Sequence, residues 1–170
     1  NHVGAHFKMI EDVVFTEEDF LANGEFYNQG SGWQPIGESS DSPFYGVFDG
    51  NGHTVKGLSI KITDDLNAYA GLFGFNKGTI YSLGVINSDI TVSSTGNDSY
   101  VGGIIGNNDN GTVSECYTDG SIKITASSDT VYAGGLIGYN SGAINECYNM
   151  GSVTINSSIY AGGITGYNTG

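Results

Sequence analysis

His2, His6 and His53 are the first residues to consider for metal or acid–base chemistry. Zinc proteolysis needs His-Glu-x-x-His or an equivalent, with two imidazoles on one helix face and a carboxylate base between them. His2 and His6 have the i, i+4 spacing but fall in a stretch that reads as strand or terminus, so a solvated terminus is expected there. Asp49-Gly50-Asn51-Gly52 resembles the opening of a calcium loop but lacks the later oxygen ligands and the Glu at position 12; it reads as a tight turn. Asp64-Asp65, Asp119 and Asp129 are the carboxylates from which a glycosidase pair would have to come. They fall at turn positions, where Asp is an ordinary residue. The five basic residues are all lysine, so a lyase that neutralises a uronate with arginine has nothing to use. Trp33, Tyr45, Tyr139 and Tyr167 are candidates for a sugar-stacking strip, but stacking within the corners of the fold is the favoured reading. No catalytic, cofactor or metal residue is therefore expected, and the acidity leaves at most weak surface calcium binding.

A net charge of −13 repels phosphate backbones and acidic polysaccharides, which excludes nucleic acid as a partner. No run of 18 apolar residues is present, so nothing in the chain is expected to span a membrane. Cys116 and Cys147 are too few for a disulfide scaffold.

These side chains have to be positioned by a repeat. One block reads Ala70-Gly71-Leu72-Phe73-Gly74-Phe75-Asn76, and it returns at Val101–Asn108, Ala133–Asn140 and Ala161–Asn168. Its last glycine is Gly74, Gly106, Gly138 and Gly166, at spacings of 32, 32 and 28 residues. A second block follows the first three copies: Gly78 to Leu83, Gly111-Thr-Val-Ser-Glu-Cys116-Tyr117 and Gly142-Ala-Ile-Asn-Glu-Cys147-Tyr148. Asn87, Gly120 and Gly151 each lie nine residues after the opening glycine of that block, which suggests that they are equivalent. The length variation is then left to a polar stretch (93–99, 126–129 and 156–158), expected to be one loop column on one side of the stack.

Each repeat holds three short β-rich runs, in the third copy Tyr132 to Ile137, Ala143 to Tyr148 and Ser152 to Ile155. Strands this short bury an apolar face only by stacking on the equivalent strand of the next repeat, one rung every ~4.8 Å. The fold class is therefore all-β, a parallel β-solenoid. Three runs predict three sides, and parallel crossovers predict right-handed winding. Asn76, Asn108, Asn140 and Asn168 fall at one corner, where stacked amides can bond to one another and to the turn. Tyr117 and Tyr148 are expected to stack similarly. Cys116 and Cys147 occupy the place of Leu83, so they read as small inward core residues. A rung-to-rung disulfide is the alternative, disfavoured because in-register side chains point the same way.

The first 60 residues lack both blocks and read as a lead-in with the first coils, before repeats over 61–170 within one continuous solenoid. Ala5 to Phe15 reads as strand. Thr16 to Ala22 has a cap, an acidic first turn and apolar residues, which predict a short helix. Pro43 to Ile60 reads as two strands joined by Gly50-Asn51-Gly52.

The run 134–153, Gly-Gly-Leu-Ile-Gly-Tyr-Asn-Ser-Gly-Ala-Ile-Asn-Glu-Cys-Tyr-Asn-Met-Gly-Ser-Val, closely resembles the GLUG motif. Trp33-Gln-Pro-Ile-Gly37 and Phe44 to Leu58 resemble the segment that commonly precedes such repeats, and the first repeat departs from the motif at Leu83-Gly84. The resemblance implies a bacterial secreted or cell-surface protein, either adhesin-like or the N-terminal region of an immunoglobulin-A-cleaving peptidase. It implies a structural motif without catalytic residues. The expectation is an extracellular, non-enzymatic scaffold for adhesion or ligand presentation, part of a longer protein, with a host or cell-surface protein or glycan as partner. The alternative is an accessory solenoid of a secreted hydrolase such as a metallopeptidase.

Overall fold

A computed structural model describes residues 4–63, 68–93, 98–125, 130–156 and 159–170. Most of the expected variable-loop column (94–97, 126–129, 157–158), together with His2, Asp64-Asp65 and Asp129, lies outside the described residues. The described chain is an all-β parallel solenoid of about three turns, in which every pairing between named strands is parallel.

Each coil contributes to four columns where the run count predicts three sides. The first column stacks Ala68–Ala70, Ser99–Gly102, Val131–Gly134 and Ile159–Gly162. The second stacks Phe73–Asn76, Ile105–Asn108, Ile137–Asn140 and Thr165–Asn168. These two come from what reads as one run in the sequence, because the chain bends between them at Gly71-Leu72, Gly103-Ile104, Gly135-Leu136 and Gly163-Ile164. The third column stacks His6–Lys8, Val47–Asp49, Thr79–Tyr81, Thr112–Ser114 and Ala143–Asn145. The fourth is the longest: Gly84–Val92 and Tyr117–Ile124 stack between shorter pairs of strands, Thr54–Lys56 with Ser59–Ile62, and Tyr148–Asn149 with Ser152–Ile155.

Register follows from which residues must face inward. Ile80 and Val113 are buried over Ile144, Ile90 and Ile122 over Val153, and Leu72, Ile104 and Leu136 fill the bend between the first two columns. The fourth column carries one irregularity. Asp119 pairs with Ile86 and Gly120 with Ser88, which leaves Asn87 as an extra residue with φ +53°. This β-bulge corrects the equivalence of Asn87 with Gly120: the true partner is Ser88, one residue later. Equal counts cannot show an insertion that the following loop absorbs.

The lead-in is built as coil rather than as one strand. Ala5 to Phe15 splits into His6–Lys8 under Val47–Asp49 and Val13–Val14 under Thr54–Lys56. Asp12 fastens the second piece, accepting from the Thr54 N–H at 2.9 Å and from Lys56 Nζ at 2.9 Å. The Gly50-Asn51-Gly52 turn joins strands of different columns and is therefore a solenoid corner; Asn51 has φ +53° and its N–H bonds Asp49 Oδ1 at 2.7 Å. The expected short helix is a single 3-10 turn, Glu17–Phe20, in which Asp19 Oδ2 accepts from the Thr16 N–H and hydroxyl at 2.7 and 3.0 Å. It stops early because Leu21 is already extended, while Phe20 packs into a cluster with Phe15, Phe26 and Trp33 at ring separations of 5.1 to 6.3 Å.

Glycine is required where coils touch through the bend. A Cβ on Gly135 would collide with the Asn149 amide and the Gly163 carbonyl, whereas the equivalent Gly163 has open space around it. Gly135→Ala is expected to lower stability by about 1–3 kcal/mol, and Gly163→Ala to stay within about 0.5 kcal/mol. Paired urea melts of the two variants would show equal midpoints if the coil contact were misassigned.

Candidate functional site

The repeat signatures meet in columns. Gly74, Gly106, Gly138 and Gly166 are superposed in the second column, the carbonyls of the first three lying 2.6 to 2.8 Å from where the next glycine's Cβ would be. Beside them the asparagines form a continuous amide ladder. Asn76 Nδ2 donates to Asn108 Oδ1 at 2.7 Å, Asn108 Nδ2 to Asn140 Oδ1 at 2.7 Å, and Asn140 Nδ2 to Asn168 Oδ1 at 2.6 Å. The second amide hydrogen of each closes its own corner, on the carbonyls of Gly78, Gly111, Gly142 and Gly170. Asn76, Asn108 and Asn140 are at most 1% exposed. A buried amide is tolerated only when its donors and acceptor are satisfied, and a stack of identical amides satisfies them without any other residue type.

Cys116 lies over Leu83 and is fully buried; Cys147 follows on the next rung, half-buried. Both thiols are free. The Cys116 thiol donates to the Ser114 carbonyl at 3.1 Å, the Cys116 N–H donates to Cys147 Sγ at 3.4 Å, and the contact with Cys116 brings the Cys147 thiol down to about 7. The neighbouring Cys147 thiol and then burial push the Cys116 thiol up. Tyr117 and Tyr148 stack at 5.2 Å and 6°. Below them stands Gly84, where a Cβ would collide with the Tyr117 ring, so the first-repeat departure at Leu83-Gly84 makes room for that ring.

The candidate chemical groups are dispersed. His6 is exposed on the third column, and His53 Nδ1 lies 3.4 Å from Asp12 Oδ1. Among the described residues no three His, Cys, Asp or Glu side chains converge on a metal-sized site. Asp49 is committed to its turn and to Lys8 at 3.2 Å, and Asp119 is exposed at the bulge. Trp33 packs in the lead-in with its indole N–H on the Leu72 carbonyl at 3.1 Å; Tyr45 is exposed elsewhere. Tyr139 and Tyr167 stack on each other at 5.4 Å, so the four residues do not form one strip.

A larger aromatic array is present instead. Tyr69, Tyr100, Tyr132 and Tyr160 stack along the outside of the first column at 5.0, 5.2 and 5.3 Å, with interplanar angles of 5 to 14°. Phe75, Tyr139 and Tyr167 of the second column stand edge-on to it. The signal is in the sequence: a Tyr precedes Ala70-Gly71, Val101-Gly102, Ala133-Gly134 and Ala161-Gly162 by one residue. Within the stack the ring faces cover one another, so it turns phenol edges and hydroxyls to solvent. Burial and then the neighbouring Asp98 push the Tyr100 phenol up, so it remains a donor.

The columns, the amide ladder and the ring stack define a repeat β-solenoid with one sequence motif per coil. The chain carries the GLUG motif: the family model described by that name matches residues 97–125, one coil from the start of Ser99–Gly102 to the end of Tyr117–Ile124. A "Putative Gly-rich membrane protein" of Evansella cellulosilytica is 36% identical over 107 residues, 62% of this chain and 11% of that protein. "Halomucin" of Haloquadratum walsbyi is 37% identical over 87 residues, 51% of this chain and 1% of that protein. The chain thus matches only a small part of the length of either relative. No solved structure matches it. Among the described residues no helix is long and apolar enough to cross a membrane.

Asn108→Ala removes one amide from the middle of the ladder, so Asn76 Nδ2, Asn140 Oδ1 and the Gly111 carbonyl each lose one of their hydrogen bonds. The expected loss is about 3 kcal/mol, against under about 1 kcal/mol for Asn168→Ala at the exposed end; denaturant melts read the difference. For the thiols, iodoacetamide should alkylate Cys147 with a half-maximal rate near pH 7 and leave Cys116 intact until the chain unfolds. Equal labelling of both in the folded protein would contradict the inward assignment.

Proposed function

We propose that the chain is a non-enzymatic extracellular repeat scaffold of a bacterial surface or secreted protein, which serves adhesion or ligand presentation. The observation that carries this reading is the Asn76–Asn108–Asn140–Asn168 ladder. The repeating polar signature, the part of the sequence most suited to chemistry, is spent on holding one coil to the next. Stacking of this kind yields a stiff rod that lengthens one rung at a time and carries variable loops on its outside. The name of the first relative, a Gly-rich membrane protein, supports a place at the cell boundary, and the acidic surface supports a soluble, repulsive exterior.

Beads coated with the folded chain should attach to cells or immobilised extracellular glycoproteins above albumin-coated controls. The same preparation should leave protein and polysaccharide substrates uncleaved. Cleavage that persists after rigorous purification, or attachment no better than the control, would defeat the scaffold reading.

A further inference from the structure

The tyrosine stack has an end at Tyr69, and that end opens into a cavity. Tyr100 covers one face of Tyr69 at 5.0 Å and 5°, and Phe75 meets it edge-on at 5.5 Å. Among the described residues no ring covers the opposite face. The reason is topological. The lead-in continues the second column downward, with Ile36 bridged to Phe73 and Phe44 to Asn76, but it supplies no strand beneath Ala68–Ala70. Where that rung is missing there is a cavity of about 370 Å³. Tyr69 and Trp33 line it, together with Asn28, Gln29, Gln34 and Glu38.

Here an end of the stack presents an aromatic face rather than edges, and the ring that bears it lines a cavity. Trp33 is held by its N–H bond to the Leu72 carbonyl and by Phe15 and Phe26, so it needs little ordering on binding. Asn28 and Gln29 are two successive non-glycine residues in the left-handed region, at φ +41° and +53°, on the cavity wall. Such backbone is uncommon and concentrates at ligand-binding positions. Primary amides offer donors and an acceptor side by side, the complement of neighbouring hydroxyls on a ring. The faintly positive C–H face of a pyranose suits the negative face of a Tyr or Trp ring. Glu38 and the net charge of −13 disfavour anionic sugars. The volume lies within the usual range of small-molecule sites, about 300–1,000 Å³.

We infer that this cavity binds a neutral pyranose, seated on the free face of Tyr69 in place of the missing rung and hydrogen-bonded by the Asn28, Gln29 and Gln34 amides. The site does not depend on the scaffold reading, since a stalk or an accessory domain would hold it equally. It is also distinct from the amide ladder, which is closed to ligands.

Trp33 is the single tryptophan of the chain, so its fluorescence reports directly on the cavity. The intact chain would be titrated with methyl glucoside, methyl galactoside, methyl mannoside, N-acetylglucosamine and, separately, tetramethylammonium. The expected result is a saturable change in Trp33 emission with at least one neutral sugar. Tyr69→Ala and Gln34→Ala should each weaken it roughly tenfold, about 1.4 kcal/mol. Tyr160→Ala, at the far end of the same stack, should leave it unchanged. Gln34 is exposed, so its variant keeps the test decisive if loss of the Tyr69 ring harms folding. No saturable response to any sugar, a response to tetramethylammonium alone, or sugar binding indifferent to Gln34→Ala would overturn the assignment. Failure of sugar binding would leave the bead-attachment result standing, so the two readings fail separately.

Discussion

In an in-register parallel stack every side chain sits about 4.8 Å from the side chain at the same position of the next coil. A residue type is admitted to a column only if it tolerates a copy of itself, or of its column partner, at that distance. Asparagine does so through its amide, which donates upward and accepts from below, as the 2.6 to 2.7 Å ladder shows. Tyrosine does so by stacking, isoleucine, leucine and valine by dispersion, and glycine by being absent from the contact. Lysine does not stack on lysine: Lys61 and Lys123 in the fourth column are separated by Thr91, and Thr154 follows. The composition of the chain, rich in Gly, Asn, Tyr and β-branched residues and without arginine, follows from this requirement.

The same constraint explains what the amino-acid sequence reveals and what it conceals. The Leu83–Cys116–Cys147 equivalence is enough to turn the cysteines inward, because a position shared with leucine has to be apolar; the buried Cys116 sits there. The asparagine corner is legible because identical polar residues recurring beside apolar ones need one another. The division of the first run into two columns is not legible, since a glycine bend inside an apolar run leaves the residue pattern unbroken. The bulge at Asn87 is hidden for a similar reason: Gly78 to Asn87 has the same count as Gly111 to Gly120, and only the register of the strands moves the match to Ser88. The tyrosine stack lay in view, one residue ahead of each glycine block, outside the boundary that the blocks themselves suggest.

The lead-in is where column logic gives way to ordinary packing. Phe15, Phe20, Phe26 and Trp33 meet at varied tilts of 46 to 80°, in contrast to the 5 to 14° of the tyrosine stack. They close the apolar interior that would otherwise open below Leu58 and Ile60, both of which are buried. A closure of this kind has no repeat to read, so its sequence shows a trace of the 3-10 turn and little else. Its irregularity also makes it the part of the molecule that can be shaped without disturbing the stack.

That difference decides where recognition can reside. A position inside a column is bound by its neighbours above and below, and a change there is felt by the whole ladder. Positions at the end of a column have one neighbour fewer, and a ring such as Tyr69 keeps a face that the stack does not consume. Loops between columns are free in a second way, since their length can vary without moving a rung. A scaffold that must stay regular along its axis is therefore expected to place its specificity at column ends and in loops, and to keep the signature residues for cohesion. Trp33 and the amides around it stand at such an end, contributed by the one segment of the described chain that has no counterpart in the repeat.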